Sequence, residues 1–74
     1  MTVYLIRAQS GAFLARDLSW MHPAPGADLF ATPHRDVAVN QLVELTLADP
    51  ALRAQVVSCA GDGQGKPDLS SLAA

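Results

Sequence analysis

His22, His34, Cys59 and seven carboxylates are the side chains of this 74-residue chain that could bind a metal or move a proton. Structural zinc is held by closely spaced pairs such as C-x-x-C or H-x-x-x-H, because a short loop then delivers two ligands to one ion. Here eleven residues separate the histidines and the thiol is alone, so no metal site is expected. A nucleophilic cysteine needs an electropositive, partly exposed setting that favours the thiolate. Cys59 follows Val56 and Val57 in an apolar run and reads as buried and inert. Gly61, Gly63 and Gly65 form the string GDGQG. It lacks the Gly-Lys-Ser/Thr and the following helix that make glycines converge on phosphate. Asp62 and Asp68 fall short of the spaced carboxylates of a calcium loop. His34 and Asp36 could share a proton, but no nucleophile accompanies them. No catalytic residue and no cofactor is therefore expected, and the chain reads as a protein that is not an enzyme.

Binding chemistry is better represented. Trp20, His22, His34 and Arg35 bracket the middle of the sequence, and exposed aromatic and arginine residues dominate interaction hot spots. Amides at a helix start would add an attraction for anions. These four residues are the candidate binding set. The competing reading makes Trp20 the largest core side chain and Arg35 a counter-charge to Asp36.

The elements that must position these residues follow from local pattern. Thr2–Ala8 is β-branched, aromatic and aliphatic, which suits a strand. Gln9-Ser10-Gly11 supplies a turn in which Gly11 can take positive φ, and Ala12–Leu18 resumes the apolar pattern, completing an antiparallel hairpin. Neither hairpin face is cleanly polar, so one is expected to lie under a helix and the other under a partner. Met21–Ala27, with Pro23, Pro25 and Gly26, reads as a loop. Thr32-Pro33 has the form of a helix N-cap followed by proline at the first helical position. Val39, Leu42, Val43, Thr46 and Leu47 recur at helical spacing, widened by Ala38 and Leu45, and predict one buried stripe. Asn40, Gln41 and Glu44 would face water. Asp49-Pro50 ends the helix, since proline disfavours helical geometry in the residue before it. Ala54–Ala60 then reads as a third strand, which a bare two-stranded ribbon needs. A short second helix capped by Asp49 is the alternative for 51–60.

The fold class is thus α+β: an antiparallel hairpin packed on one long amphipathic helix, with a third strand near the C-terminus. Residues 1–60 form one domain and 61–74 a flexible C-terminal tail. Half the residues are apolar and 16% charged, too hydrophobic a balance for a disordered chain. The net charge of −2 arises from scattered residues, so no basic stripe is offered to a phosphate backbone. One cysteine cannot form an internal disulfide, and no apolar run approaches the ~18 residues of a membrane span. A cytoplasmic protein without a membrane partner is the expectation.

The strings Y-L-I at Tyr4–Ile6, G-A-F-L at Gly11–Leu14, Trp20, and A-D-L-F-A-T at Ala27–Thr32 resemble a recurring pattern in small uncharacterised bacterial and phage or plasmid proteins. The resemblance spans about half the chain and implies a hairpin, a tryptophan-bearing exit and a threonine-capped helix. It carries over no functional residue. The function expected is a non-enzymatic interaction or regulatory accessory module that binds another protein, or itself as a homodimer, through a sheet edge or open sheet face. The alternative is a nucleic-acid accessory protein in which Arg7 and Arg16 share a hairpin face and Tyr4 or Trp20 stacks on bases. The charge balance disfavours it.

Overall fold

The computed structural model describes residues 2–22, 28–61 and 67. Strand β1 is Thr2–Ala8, β2 Phe13–Leu14, β3 Trp20–Met21 and β4 Ala54–Ala60, and helix α1, the one helix among the described residues, spans Arg35–Ala48. The four strands form one antiparallel sheet in the order β3-β2-β1-β4. The fold is α+β, and Ala54–Ala60 is a strand rather than a second helix. Seven residues of β4 pair with all seven of β1, from Thr2 opposite Ala60 to Ala8 opposite Ala54.

At the first turn the Ala8 amide donates to the Ala12 carbonyl at 2.8 Å and Gly11 takes φ +96°, a backbone state glycine reaches without steric cost. Beyond it β2 is shorter than the pattern suggested. The Ala15 amide donates to the Ser19 carbonyl at 2.7 Å, and Leu18 adopts φ 68°. Asp17 accepts from both the amide and the hydroxyl of Ser19, and this local bonding turns the chain where alternation alone predicted a strand continuing to Leu18. Trp20–Met21, read as the hairpin exit, pairs with β2 as the sheet's far edge. Of the expected loop, residues 23–27 lie outside the described part, as does most of the expected C-terminal tail; Gly61 and Pro67 are bridged.

Asp28–Thr32 fills the space where β1 and β2 splay apart. The Arg16 amide donates to the Asp28 carbonyl and the Phe30 amide to the Leu14 carbonyl, after which Tyr4 and Thr32 exchange both backbone bonds, at 2.7 and 3.1 Å. Thr32 is therefore a buried sheet residue and not the helix cap. The N-cap is His34, which makes no side-chain cap bond. The Thr32 hydroxyl instead accepts from the His34 amide at 3.2 Å, one step outside the helix. At the other end the Asp49 amide donates to the Leu45 carbonyl, and the Asp49 carboxylate accepts from the Ala51 amide, so the Asp49-Pro50 stop holds and Asp49 shapes a turn into β4.

Both sheet faces are covered. Val3, Leu5, Phe13, Leu29 and Cys59 form one buried cluster, with Met21, Ala31 and Val57 packed against it. Ile6 points to the opposite face from Leu5 by strand alternation, and both are fully buried. The helix lies against β1 and β4 and contributes no side chain to the Leu5 cluster, so it covers the Ile6 face. The centre of each sheet face, at Leu5 and at Ile6, is buried rather than open to a partner.

The helix buries only part of the stripe its spacing suggested, while Asn40 and Glu44 face water as expected. Ala38 is its fully buried residue, Val39, Gln41, Leu42 and Leu45 are half-buried, and Val43, Thr46 and Leu47 are exposed. The buried side keeps Ala38, Val39, Leu42 and Leu45 of the predicted stripe, takes in Gln41 and leaves Val43, Thr46 and Leu47 to solvent, a turn of less than one residue's step. Ala38 lets the helix backbone approach the sheet closely. Thr46, placed in the stripe by spacing, turns its hydroxyl back onto the Leu42 carbonyl at 2.9 Å.

Candidate interaction edge

The expected binding residues lie at the sheet's far edge and at the helix start. Trp20 and His22 belong to β3 and the residue after it; His34 and Arg35 are the cap and first residue of α1. All four are exposed, and no hydrogen bond or ion pair joins one pair to the other. Trp20 is 37% exposed while the largest fully buried side chains are Leu5, Ile6, Leu14, Leu29 and Val3, so the tryptophan is not the core residue of the competing reading. Arg35 makes no ion pair with Asp36; the ion pair among the described residues is Arg16–Asp28, at 2.9 Å between exposed partners. No group of three or more histidine, cysteine or acidic side chains gathers among the described residues. Cys59 is buried and its thiol donates to the Ala60 carbonyl.

The feature that sequence reasoning did not single out by residue is the outer edge of β4. Tyr4 turns its backbone groups to Thr32 and Ala8 turns its amide to Ala12, both on the β2 side of β1. Alternation then directs the groups of Val3, Leu5 and Arg7 toward β4. Their partners Cys59, Val57 and Gln55 face inward, and the Gln9 amide continues the ladder to the Arg53 carbonyl at 2.7 Å. The intervening residues Ala54, Val56 and Ser58 must therefore direct N–H and C=O outward. No hydrogen bond to any described residue satisfies these groups.

Edge strands of folded proteins are ordinarily blunted by charged side chains, proline or a bulge. The β4 sequence AQVVSCA has no charge and no proline, and its register with β1 runs unbroken through all seven pairs. Val56 and Val57 are half-buried and Gln55 and Ser58 exposed, which gives the edge a mixed, uncharged border. The signal was present in the sequence as an uncharged β-prone run; what it lacked was the strand order that makes this run an edge.

A groove of about 610 Å³ opens beside the start of β4, lined by Arg7, Ala8, Gln9, Thr46, Leu52, Arg53, Ala54 and Gln55. Among the described residues neither arginine has a carboxylate partner. Arg7 lies over the Phe13 ring, 5.9 Å from its centroid, and Arg53 donates to the Leu52 carbonyl at 3.2 Å. Arg16, expected to share a face with Arg7, is engaged by Asp28. Comparison with protein-family models, curated proteins and solved structures finds no match to this chain.

Proposed function

We propose that this protein is a non-enzymatic interaction module of accessory or regulatory type, whose contact is the outer edge of β4. The observation that carries the reading is the row of outward backbone groups at Ala54, Val56 and Ser58 on a strand with no charge, proline or bulge. Strand addition supplies affinity through main-chain hydrogen bonds and specificity through alternate side chains. Burial of Leu5 and Ile6 at the centres of the two sheet faces favours an edge as the contact surface. Trp20 and His22 on the opposite edge have only a two-residue strand, too short a template for comparable pairing. The nucleic-acid alternative gains no matching support, since Arg16 is engaged by Asp28.

The test is site-specific photo-crosslinking in the cell that expresses the protein. A photoreactive residue replacing Ser58 should trap a discrete adduct, and one replacing Glu44 on the exposed helix side should not. Absence of an adduct from position 58, with the variant folded, overturns the reading.

A further inference from the structure

We propose that the occupant of the β4 edge is a second copy of this chain, paired antiparallel about a two-fold axis through Val56. The inference rests on the edge reading above and names its partner. An isologous contact must be complementary to itself, and an antiparallel strand edge meets that requirement in its backbone. The side chains allow it as well. Ala54–Ala60 carries no charge, so no like charges meet across the axis.

The register follows from which groups are available. With the axis at Val56, Val56 faces its own copy, and Ala54 faces Ser58 in both directions. Each of these pairs exchanges two backbone bonds, so all three outward residues are satisfied by one another. Gln55 then lies across from Val57 on the other face, and β-branched Val56 packs against Val56. Shifting the axis to Gln55 sets Ser58 against Leu52, whose amide is committed to the Asp49 carbonyl. Shifting it to Ala54 sets Ser58 against Pro50, which has no N–H. Moving it to Val57 or Ser58 makes Ala54 or Val56 depend on a bond from Ala60, which already has another partner, whereas the Val56 axis asks no bond of Ala60. The result is a continuous eight-stranded sheet with β3 at each outer end.

Sedimentation of the purified full chain from about 1 to 100 micromolar tests this. The parent should approach twice the 7.8 kDa chain mass. Ser58→Pro removes an outward N–H that the fold does not use, a placement proline tolerates on an edge, and should sediment at one chain mass. Val56→Lys and Val56→Glu should each be monomeric alone, because like charges then face each other across the axis, and an equal mixture should regain the doubled mass. Far-UV circular dichroism confirms that each variant is folded. A parent that stays at one chain mass, a folded Ser58→Pro that stays doubled, or a charge-swapped mixture that stays monomeric overturns the proposal. If the parent is monomeric while position 58 traps a different protein in the cell, self-pairing falls and the edge reading stands; if position 58 traps nothing, both fall.

Discussion

Ile6→Ala and Leu5→Ala are expected to be comparably damaging, because these neighbours point to opposite faces and both are fully buried. Each substitution removes three side-chain carbons, at about 0.8 kcal/mol per buried carbon, or about 2.4 kcal/mol before any cavity term. The unrelaxed cavity brings the cost to about 3–4 kcal/mol. For 74 residues, a stability near 0.05–0.15 kcal/mol per residue gives about 4–11 kcal/mol in all. Both variants should therefore be close to unfolding. Ile6→Val, which removes one carbon and costs about 1 kcal/mol, keeps the same face measurable. Leu47→Ala is the control: Leu47 is 77% exposed, and its loss should change stability by less than about 0.5 kcal/mol. Urea denaturation at one fixed protein concentration reads all four, since any self-association makes the midpoint concentration-dependent. An Ile6→Ala as harmless as Leu47→Ala would refute the reasoning, showing that the helix leaves its sheet face open.

Leu18 holds a positive φ that a β-branched residue tolerates poorly, so Leu18→Val should lower stability by about 1 kcal/mol although the position is exposed, while Leu18→Asn should cost less; equal midpoints for the two would contradict the turn geometry. His34→Asp places a capping carboxylate where α1 has no side-chain cap bond and should raise stability by about 0.5–1 kcal/mol; a fall in the urea midpoint would mean that the helix begins elsewhere. The Ser19 hydroxyl and amide hold the Asp17 carboxyl below its usual value. A carboxyl depressed on folding stabilises the folded state above the ordinary carboxylate range, and that contribution fades as pH falls through the depressed value. An NMR titration of Asp17 should move up toward the ordinary value in Ser19→Ala, and an unchanged midpoint would show that Ser19 is not the cause.

The strongest local signals in the sequence translated directly into structure. The β-prone run Thr2–Ala8 is β1 and the run Ala54–Ala60 is β4, and Asp49-Pro50 ends the helix because proline restricts the residue before it. Signals that depend on choosing among partners were less legible. The Thr32 hydroxyl suits a cap, but the Thr32 backbone pairs with Tyr4, and that tertiary pairing moves the helix start to His34. The apolar residues of α1 make a stripe wider than one face of contact, so spacing identified Ala38, Val39, Leu42 and Leu45 but also drew in Val43, Thr46 and Leu47, which the fold leaves exposed. The Asp17–Ser19 bonds cut short a strand that alternation extended to Leu18. Trp20, His22, His34 and Arg35 are exposed, which by itself assigns them no role, whereas the β4 edge required the strand order, a non-local property that no stretch of sequence carries by itself.

Hydrogen exchange resolved at single amides along β4 tests the central claim most directly, because an edge open to a partner strand has amides of two kinds in strict alternation. In dilute protein, Val56 and Ser58 should exchange near the rate of an unstructured chain, while Gln55 and Val57, bonded to β1, should be strongly protected. Raising the concentration should slow Val56 and Ser58 and leave Gln55 and Val57 unchanged. Slow exchange at Val56 and Ser58 in the dilute, monomeric chain would contradict the account, since it would mean that the single chain already satisfies the edge assigned to a partner.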